Sequence, residues 1–435
     1  MRLTRGFFQG LVFLALLALV FIGGWKMGVQ TEGSRLIFRS NFTYPLLSKE
    51  ALQEKFVKLN DDSVYNFQKT EVKLDGFDEP AELDFSFDPA IQKASEDLLN
   101  RYKPDLGAMV VMDASTGQIL AMAAENRAFE VEGNPAISMS YPSASVFKVI
   151  TATAALEKTQ IQPESMMAYV GRNHTLYKSQ VLKEKVSGWV RKCTLKEAFA
   201  KSLNPVFGRL GVFKLGKESI QDCSNKFVFN EEIPSEFPIA SSHAANPTDR
   251  YELAEMASGF TQKNIITPLH GALIAAAVAN NGVMMEPYFL NSVHLKSGRP
   301  IYQAKSKILS EVMSPETAHE LKTMMRETVM RGTSRKSFHG FFRGRFRELD
   351  VGAKTGHLTD RSLGGRADWF VGFAEAHGRK IAVSVMTMHK KYWKVKSAYL
   401  ARKTIETAFG AKKVAHRSRA DRAKKAALRE SLAGF

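Results

Sequence analysis

The chain has 435 residues, room for two or three domains, and its 44% apolar and 24% charged residues suit a globular protein with a sizeable core. Sixty-one Lys and Arg against 44 Asp and Glu give a net charge of +17, which favours anionic surroundings such as lipid headgroups, nucleic acid or acidic polymers. Two cysteines, Cys193 and Cys223, exclude a disulfide-dense scaffold and a cysteine-built metal cluster.

The first element in chain order is an apolar run, residues 6–24, broken only by Gln9. It is long enough to span a bilayer as a helix. Arg2 and Arg5 ahead of it favour a cytoplasmic N-terminus over residues 1–5, and Trp25 stands where an interfacial anchor would. "FIGGWKMG" is a poor cleavage site, so the run reads as an uncleaved signal-anchor. The remainder is then extracytoplasmic, and nucleic acid is not an expected partner.

Residues 25–84 read as a stalk or short lead-in region. "TEGSRLIFRSNFTYPLL" has strand-like pieces, "SKEALQEKFVKLN" suits a short helix and "KLDGFDEPAEL" a linker. Residues 85–410 read as one larger domain. It opens with a helix capped by Asp88, with Pro89 in its first turn and an apolar face of Ile91, Leu98 and Leu99. "GAMVVMDASTGQILAMAA" is two apolar runs around a Gly-bearing turn, the pattern of a β-hairpin. A mostly helical section follows from Val146 to about Asn281. Strand patterns return in "LDVGAKTG", "ADWFVGFAEA" and "KIAVSVMTM", and a last helix lies near "VKSAYLARKTIETAFG". Strands at both ends with helices between predict an α+β fold: an antiparallel sheet flanked by helices, plus an all-helical lobe. Residues 411–435 form a basic tail of eight basic and two acidic side chains. It fits a solvated segment near anionic lipid or wall polymer.

Three short patterns carry candidate chemistry. In "YPSASVFKVITATAALE", Ser145 sits at a predicted helix N-terminus, where free N–H groups favour developing negative charge. Lys148, three residues on, shares its face and can serve as a base if burial or a neighbouring cation lowers its pKa. Alone the pair is weak, since an N-cap serine beside a solvated lysine looks the same. "AFAKSLNPVFGRL" adds Ser202 and Asn204 between two helical segments, a hydroxyl and a carboxamide able to relay a proton and hold an amide. "VGAKTGHLTD" adds Lys354, Thr355 and Gly356 on a strand, a cation and a hydroxyl for a carboxylate beside a residue that admits close backbone approach. A second Lys-hydroxyl-Gly triplet, Lys296-Ser297-Gly298, reads as a hairpin turn, and Asp113 and Asp360 as turn and loop carboxylates. The histidines show no ligand spacing, so no metal is assigned.

The order S-x-x-K, S-x-N, K-T-G resembles the transpeptidase domain of penicillin-binding proteins, relatives of the β-lactamases. The resemblance runs from about Phe85 to Gly410 and includes "LAEMASGFTQKNIITPLHGALIAAAVANNGVMMEP" and "MRGTSRKSF". It implies that Ser145 is the acylated nucleophile, Lys148 its base and Ser202 a catalytic proton relay. Asn204, Lys354, Thr355, Gly356 and His357 would bind the donor peptide, with the backbone N–H groups of Ser145 and His357 as the oxyanion hole. It further implies peptidoglycan stem peptides ending in D-Ala-D-Ala as substrates, β-lactams as inhibitors and no cofactor. His357 departs from the family, which usually has Thr there; imidazole either takes over the carboxylate or merely lines the cleft. Transpeptidase, carboxypeptidase or β-lactamase-like hydrolase, and non-catalytic sensor or scaffold stay open. Leu203, where class A β-lactamases carry Asp, speaks against that class. With no room for a glycosyltransferase domain ahead of it, the domain is expected to work beside a separate cell-wall glycosyltransferase. In an oxidising compartment Cys193 and Cys223 could pair.

Overall fold

Long runs of β-branched and other apolar residues without strict alternation make strands buried on both faces, and these form the main sheet of the protein. The computed structural model describes residues 45–186 and 188–410, together with the backbone of 27–32 and 35–40. The expected membrane anchor at 6–24, the N-terminal residues 1–5 and the basic tail at 411–435 lie outside the described residues. Among the described residues no helix is long and apolar enough to cross a membrane.

The chain divides into two units, residues 1–47 and 48–435. In the first, Met27–Glu32 pairs antiparallel with Arg35–Ser40, Met27 opposite Ser40 and Glu32 opposite Arg35.

The second unit is built on a five-stranded antiparallel sheet in the order Asp350–Asp360, Gly365–Ala376, Arg379–His389, Leu106–Asp113, Ile119–Asn126. Helix Pro89–Tyr102 and a helix over 397–410 cover one face, where Ile91, Leu99, Val383, Val385, Ala401 and Ile405 share a core. Helix Pro268–Ala279, buried along its whole length, covers the other face. Gly271 makes that approach possible, since a Cβ there would lie 2.6 Å from Ser384 Oγ. Asp88 caps its helix by accepting from the amides of Ala90 and Ile91 at 3.0 and 3.2 Å. Asp113 holds the hairpin turn by accepting from Ser115 and Thr116, and Asp360 does the same for Ser362 and Leu363. Lys296-Ser297-Gly298 is the turn between strands Leu290–Leu295 and Pro300–Gln303.

Beside the sheet stand helices Lys148–Lys158, Leu195–Ala200, Asn204–Leu210, Gly216–Lys226 and Arg250–Ser258. The section expected to be mostly helical also contains a ribbon, Met166–Tyr169 paired with Arg191–Thr194. Its strands are four residues each and mostly exposed, too short and too wet for a periodic pattern. The cysteines do not pair; both are buried free thiols. Cys223 Sγ donates to the Ile150 carbonyl at 3.4 Å. Burial pushes Cys193 up to about 11 and Cys223 to about 12, so both are inert as nucleophiles.

A boundary at residue 85 does not coincide with a break in packing. Helix Lys49–Leu59 is capped by Ser48 and buries Leu52 and Phe56. Strand Ala81–Phe85 pairs with Leu290–Leu295 in a separate four-stranded sheet. Phe56 stacks on Phe237 at 4.9 Å and Phe67 on Phe289 at 5.6 Å, while Lys49 Nζ donates to Glu286 and to the Pro287 carbonyl at 3.1 and 3.0 Å. Scattered aromatic residues, not a hydrophobic period, join the lead-in to the body.

Candidate active site

The segment carrying Ser145 changes conformation sharply. Tyr141–Pro142 pairs with Ile265–Ile266, a 3₁₀ turn spans Ala144–Phe147 and helix Lys148–Lys158 follows. Ala144 lies in the left-handed region at φ 48°, as does Ser202 at 57°. Strained non-glycine conformations of this kind persist where the surroundings over-determine them. Here two glycines hold the turn. A Cβ on Gly259 (φ +66°) would lie 2.0 Å from the Ala144 carbonyl, and one on Gly356 would lie 3.0 Å from the Ser145 amide nitrogen. Trp369 Nε1 donates to the Pro142 carbonyl at 2.9 Å and fixes the strand just before the turn.

The residues of the three motifs converge. Lys148 is fully buried, and its Nζ lies 2.7 Å from Ser145 Oγ, 2.7 Å from Asn204 Oδ1 and 2.5 Å from the Ser258 carbonyl. Asn204 is oriented in turn by Nδ2–H donating to the His174 carbonyl at 3.0 Å. On the opposite wall Lys354, also fully buried, donates to Ser202 Oγ at 3.0 Å and to the Thr355 carbonyl at 2.7 Å. Thr355 Oγ1 is 2.5 Å from Thr333 Oγ1.

Neither lysine has a carboxylate beside it in this set of contacts. Burial, then the charge of Lys354, holds Lys148 well below the ordinary lysine range, and burial alone brings Lys354 to about 7. Three oxygens surround the Lys148 Nζ. In the neutral form two N–H bonds would serve Asn204 Oδ1 and the Ser258 carbonyl, which cannot donate, and the lone pair would be free to accept from the Ser145 hydroxyl. That arrangement can draw a proton from a serine.

His357 lies opposite Asp368 on the edge strand of the large sheet. It faces the open cleft, yet enough protein surrounds its ring that desolvation lowers its pKa, with Asp368 opposing. Its ring meets Trp393 edge-on at 6.3 Å. The cleft, about 540 Å³, is lined by Ser145, Ser202, Asn204, Thr355, Gly356 and His357, while Lys148 and Lys354 lie beneath it. A hollow of similar volume between helices Pro89–Tyr102 and 397–410 shares none of these residues.

Sequence reading missed His174, Thr333 and Lys336, which also line the cleft. His174 arrives on an irregular loop with no pattern to mark it. Thr333 and Lys336 stood in "MRGTSRKSF", a segment singled out without any residue in it being assigned a role. Among the described residues no cluster of three His, Cys, Asp or Glu has the arrangement of a metal site.

Residues 107–406 match the penicillin binding protein transpeptidase domain. Peptidoglycan D,D-transpeptidase PbpA of Mycobacterium tuberculosis is 28% identical over 341 residues, an alignment covering 70% of this chain and 66% of that protein. Stage V sporulation protein D of Bacillus subtilis is 25% identical over 340 residues, covering 73% of this chain and half of the relative. The crystal structure of PbpA from M. tuberculosis superposes with a TM-score of 0.63 at 22% identity, over 88% of this chain and 96% of that one. The D,D-transpeptidase domain from Eggerthella lenta gives 0.64 at 22% identity, over 88% and 95%.

Proposed function

This chain belongs to the penicillin-binding protein transpeptidase family, and from that membership and the Ser145–Lys148 geometry we propose that it is a serine D,D-transpeptidase that cross-links peptidoglycan. Its curated relatives named as D,D-transpeptidases, and solved relatives trapped as imipenem and penicillin G acyl-enzymes, support the reading. The observation that carries it is the 2.7 Å contact between Ser145 Oγ and the Nζ of a fully buried Lys148.

Ser145 Oγ attacks the penultimate D-Ala carbonyl of a stem peptide while the Lys148 amine takes the hydroxyl proton, a contribution of roughly 10²–10⁴-fold. The carbonyl oxygen gains negative charge and turns to the amides of Ser145 and His357, and one such donor is worth about 10²–10³-fold. The C–N bond breaks, and the leaving D-Ala amine takes a proton from the Lys148 ammonium by way of Ser202. An amine of a neighbouring stem then attacks the ester and gives its proton to Lys148. Ser145 leaves with a proton and the cross-link remains. Asn204 holds the donor amide, while Lys354 and Thr355 receive its terminal carboxylate.

The apolar run at 6–24 behind Arg2 and Arg5 supports a membrane-anchored, periplasmic placement of the catalytic domain. A cell-wall glycosyltransferase is the partner this chemistry points to, because cross-linking acts on polymerised glycan strands. The test is labelling of the full chain by a fluorescent penicillin beside Ser145→Ala. An adduct that maps to Ser145 and vanishes in the variant is expected, with cross-linked stem peptides among the products. A folded protein that never labels, or that yields only hydrolysed peptide, would sink the transpeptidase reading.

A further inference from the structure

Past Lys336, Ser337 and Lys396 the catalytic cleft opens into a second hollow of about 430 Å³ that shares these residues with it. Its remaining lining is Trp393, Lys394, Val395 and Tyr399, so three lysines face it and no carboxylate does. Lys394 is held by Asp105 at 2.6 Å, and Lys396 by Asp368 at 3.3 Å. The Lys336 ammonium has no ion pair or hydrogen bond among the described residues. It is an unneutralised cation at the throat between the two hollows.

Trp393 gives the second hollow a firm wall. The Lys396 ammonium sits 3.4 Å from its ring centroid, and His389 packs on the ring at 5.2 Å. Yet 37% of Trp393 stays exposed. An indole clamped in this way with part of its surface free suits the aliphatic part of a ligand whose charged end meets a lysine. A lysine without a partner gains a charge-assisted hydrogen bond from a carboxylate that reaches it.

We propose that this hollow is a second carboxylate subsite, which takes an anionic side branch of the peptides being cross-linked through Lys336 and Lys396 against Trp393. The subsite rests on the transpeptidase reading and deepens it. It is separate from the terminal carboxylate position at Lys354 and Thr355, because neither of those residues lines the second hollow. The branch could belong to the donor stem or to the acceptor stem, and the chemistry asked of it is the same.

The full chain is given matched thioester donors that differ only in carrying a free carboxylate or its amide on the side branch. Acylation of Ser145 is followed by thiol release and intact mass. In a second arm the donor is held constant, acceptor amines differ in the same way, and transfer against hydrolysis is read. The carboxylate is expected to win by about five- to tenfold in one arm. The arm in which it wins identifies the strand that occupies the hollow. Lys336→Met should bring that ratio towards one, and Lys336→Glu should reverse it in favour of the amide. Trp393→Ala should shrink it. A ratio near one in both arms of the wild type overturns the subsite, as does a preference that survives all three substitutions. Benzylpenicillin is the control: if it forms no Ser145 adduct, the acyl-enzyme reading fails and the subsite with it. A normal adduct with no discrimination overturns the subsite alone.

Discussion

Two pairs of lysines frame the same cleft, and they differ in water. Lys148 and Lys354 form its floor with no measurable exposure, and both are driven towards the neutral form. Lys336 and Lys396 form its rim, one without a partner and the other half-exposed and paired with Asp368. One residue type thus stands in a dry position and in a wet one. Desolvation, which is worth little at the rim, dominates at the floor.

The hardest blow to this contrast is a change on the floor. Lys148→Ala should lower the second-order acylation rate by about 10³-fold, and Lys148→Arg should fare no better, since a guanidinium holds its proton. Stopped-flow labelling with a chromogenic cephalosporin reads both. An arginine variant that keeps activity would show that charge, not proton abstraction, is what the floor supplies.

Next comes the backbone between the two walls. Gly356→Ala would press a methyl group to within 3.0 Å of the Ser145 amide. The expected result is a loss of roughly 10²-fold in acylation with unchanged circular dichroism, the cost of one spoiled oxyanion donor.

The two buried lysines also set a pH profile. Acylation should rise as Lys148 loses its proton, well below the ordinary lysine range, and fall as pH passes about 7 and Lys354 loses the charge that receives a carboxylate. A bell with both limbs displaced far below 10.5 is expected for a small neutral-leaving donor, and Lys354→Met should abolish the alkaline limb. A single limb near the ordinary lysine value would mean that the floor is wetter than its burial implies.

The smallest effect is on stability. Lys354 has a folded pKa lowered to about 7, so between there and 10.5 the unfolded chain binds the extra proton. Stability therefore rises with pH across that window, and the buried lysine is most costly below it. Lys354→Met should raise the melting temperature by about 2–4 °C at pH 7, with the gain fading as pH approaches 10.5. Calorimetry at both pH values decides it.

The floor was legible in the sequence and the rim was not. Ser145 with Lys148, Ser202 with Asn204, and Lys354 with Thr355 are each close in sequence, so their spacing survives folding, and a helical turn puts Ser145 and Lys148 on one face. The hairpin at Asp113 and the Asp88 cap were readable for the same reason, since turns and caps are decided within a few residues. Lys336 and Lys396 are brought together from either side of the motif strand, and nothing local marks either. His174 owes its place to a loop that also holds Asn204. Phe56 and Phe67 owe theirs to Phe237 and Phe289, far along the chain. Lone aromatics without a period say that something is buried without saying against what.

That aromatic cluster has a practical consequence. A fragment begun where the motifs begin, at Phe85, would lack Phe56 and Phe67 and most of the strand that pairs with Leu290–Leu295. Phe237 and Phe289 would then face solvent beside an unpaired strand edge, the combination that makes chains adhere to one another. Begun at Ser48, the fragment keeps its own stopper. The difference between a soluble enzyme and an inclusion body would then lie in 37 residues that contribute no catalytic group.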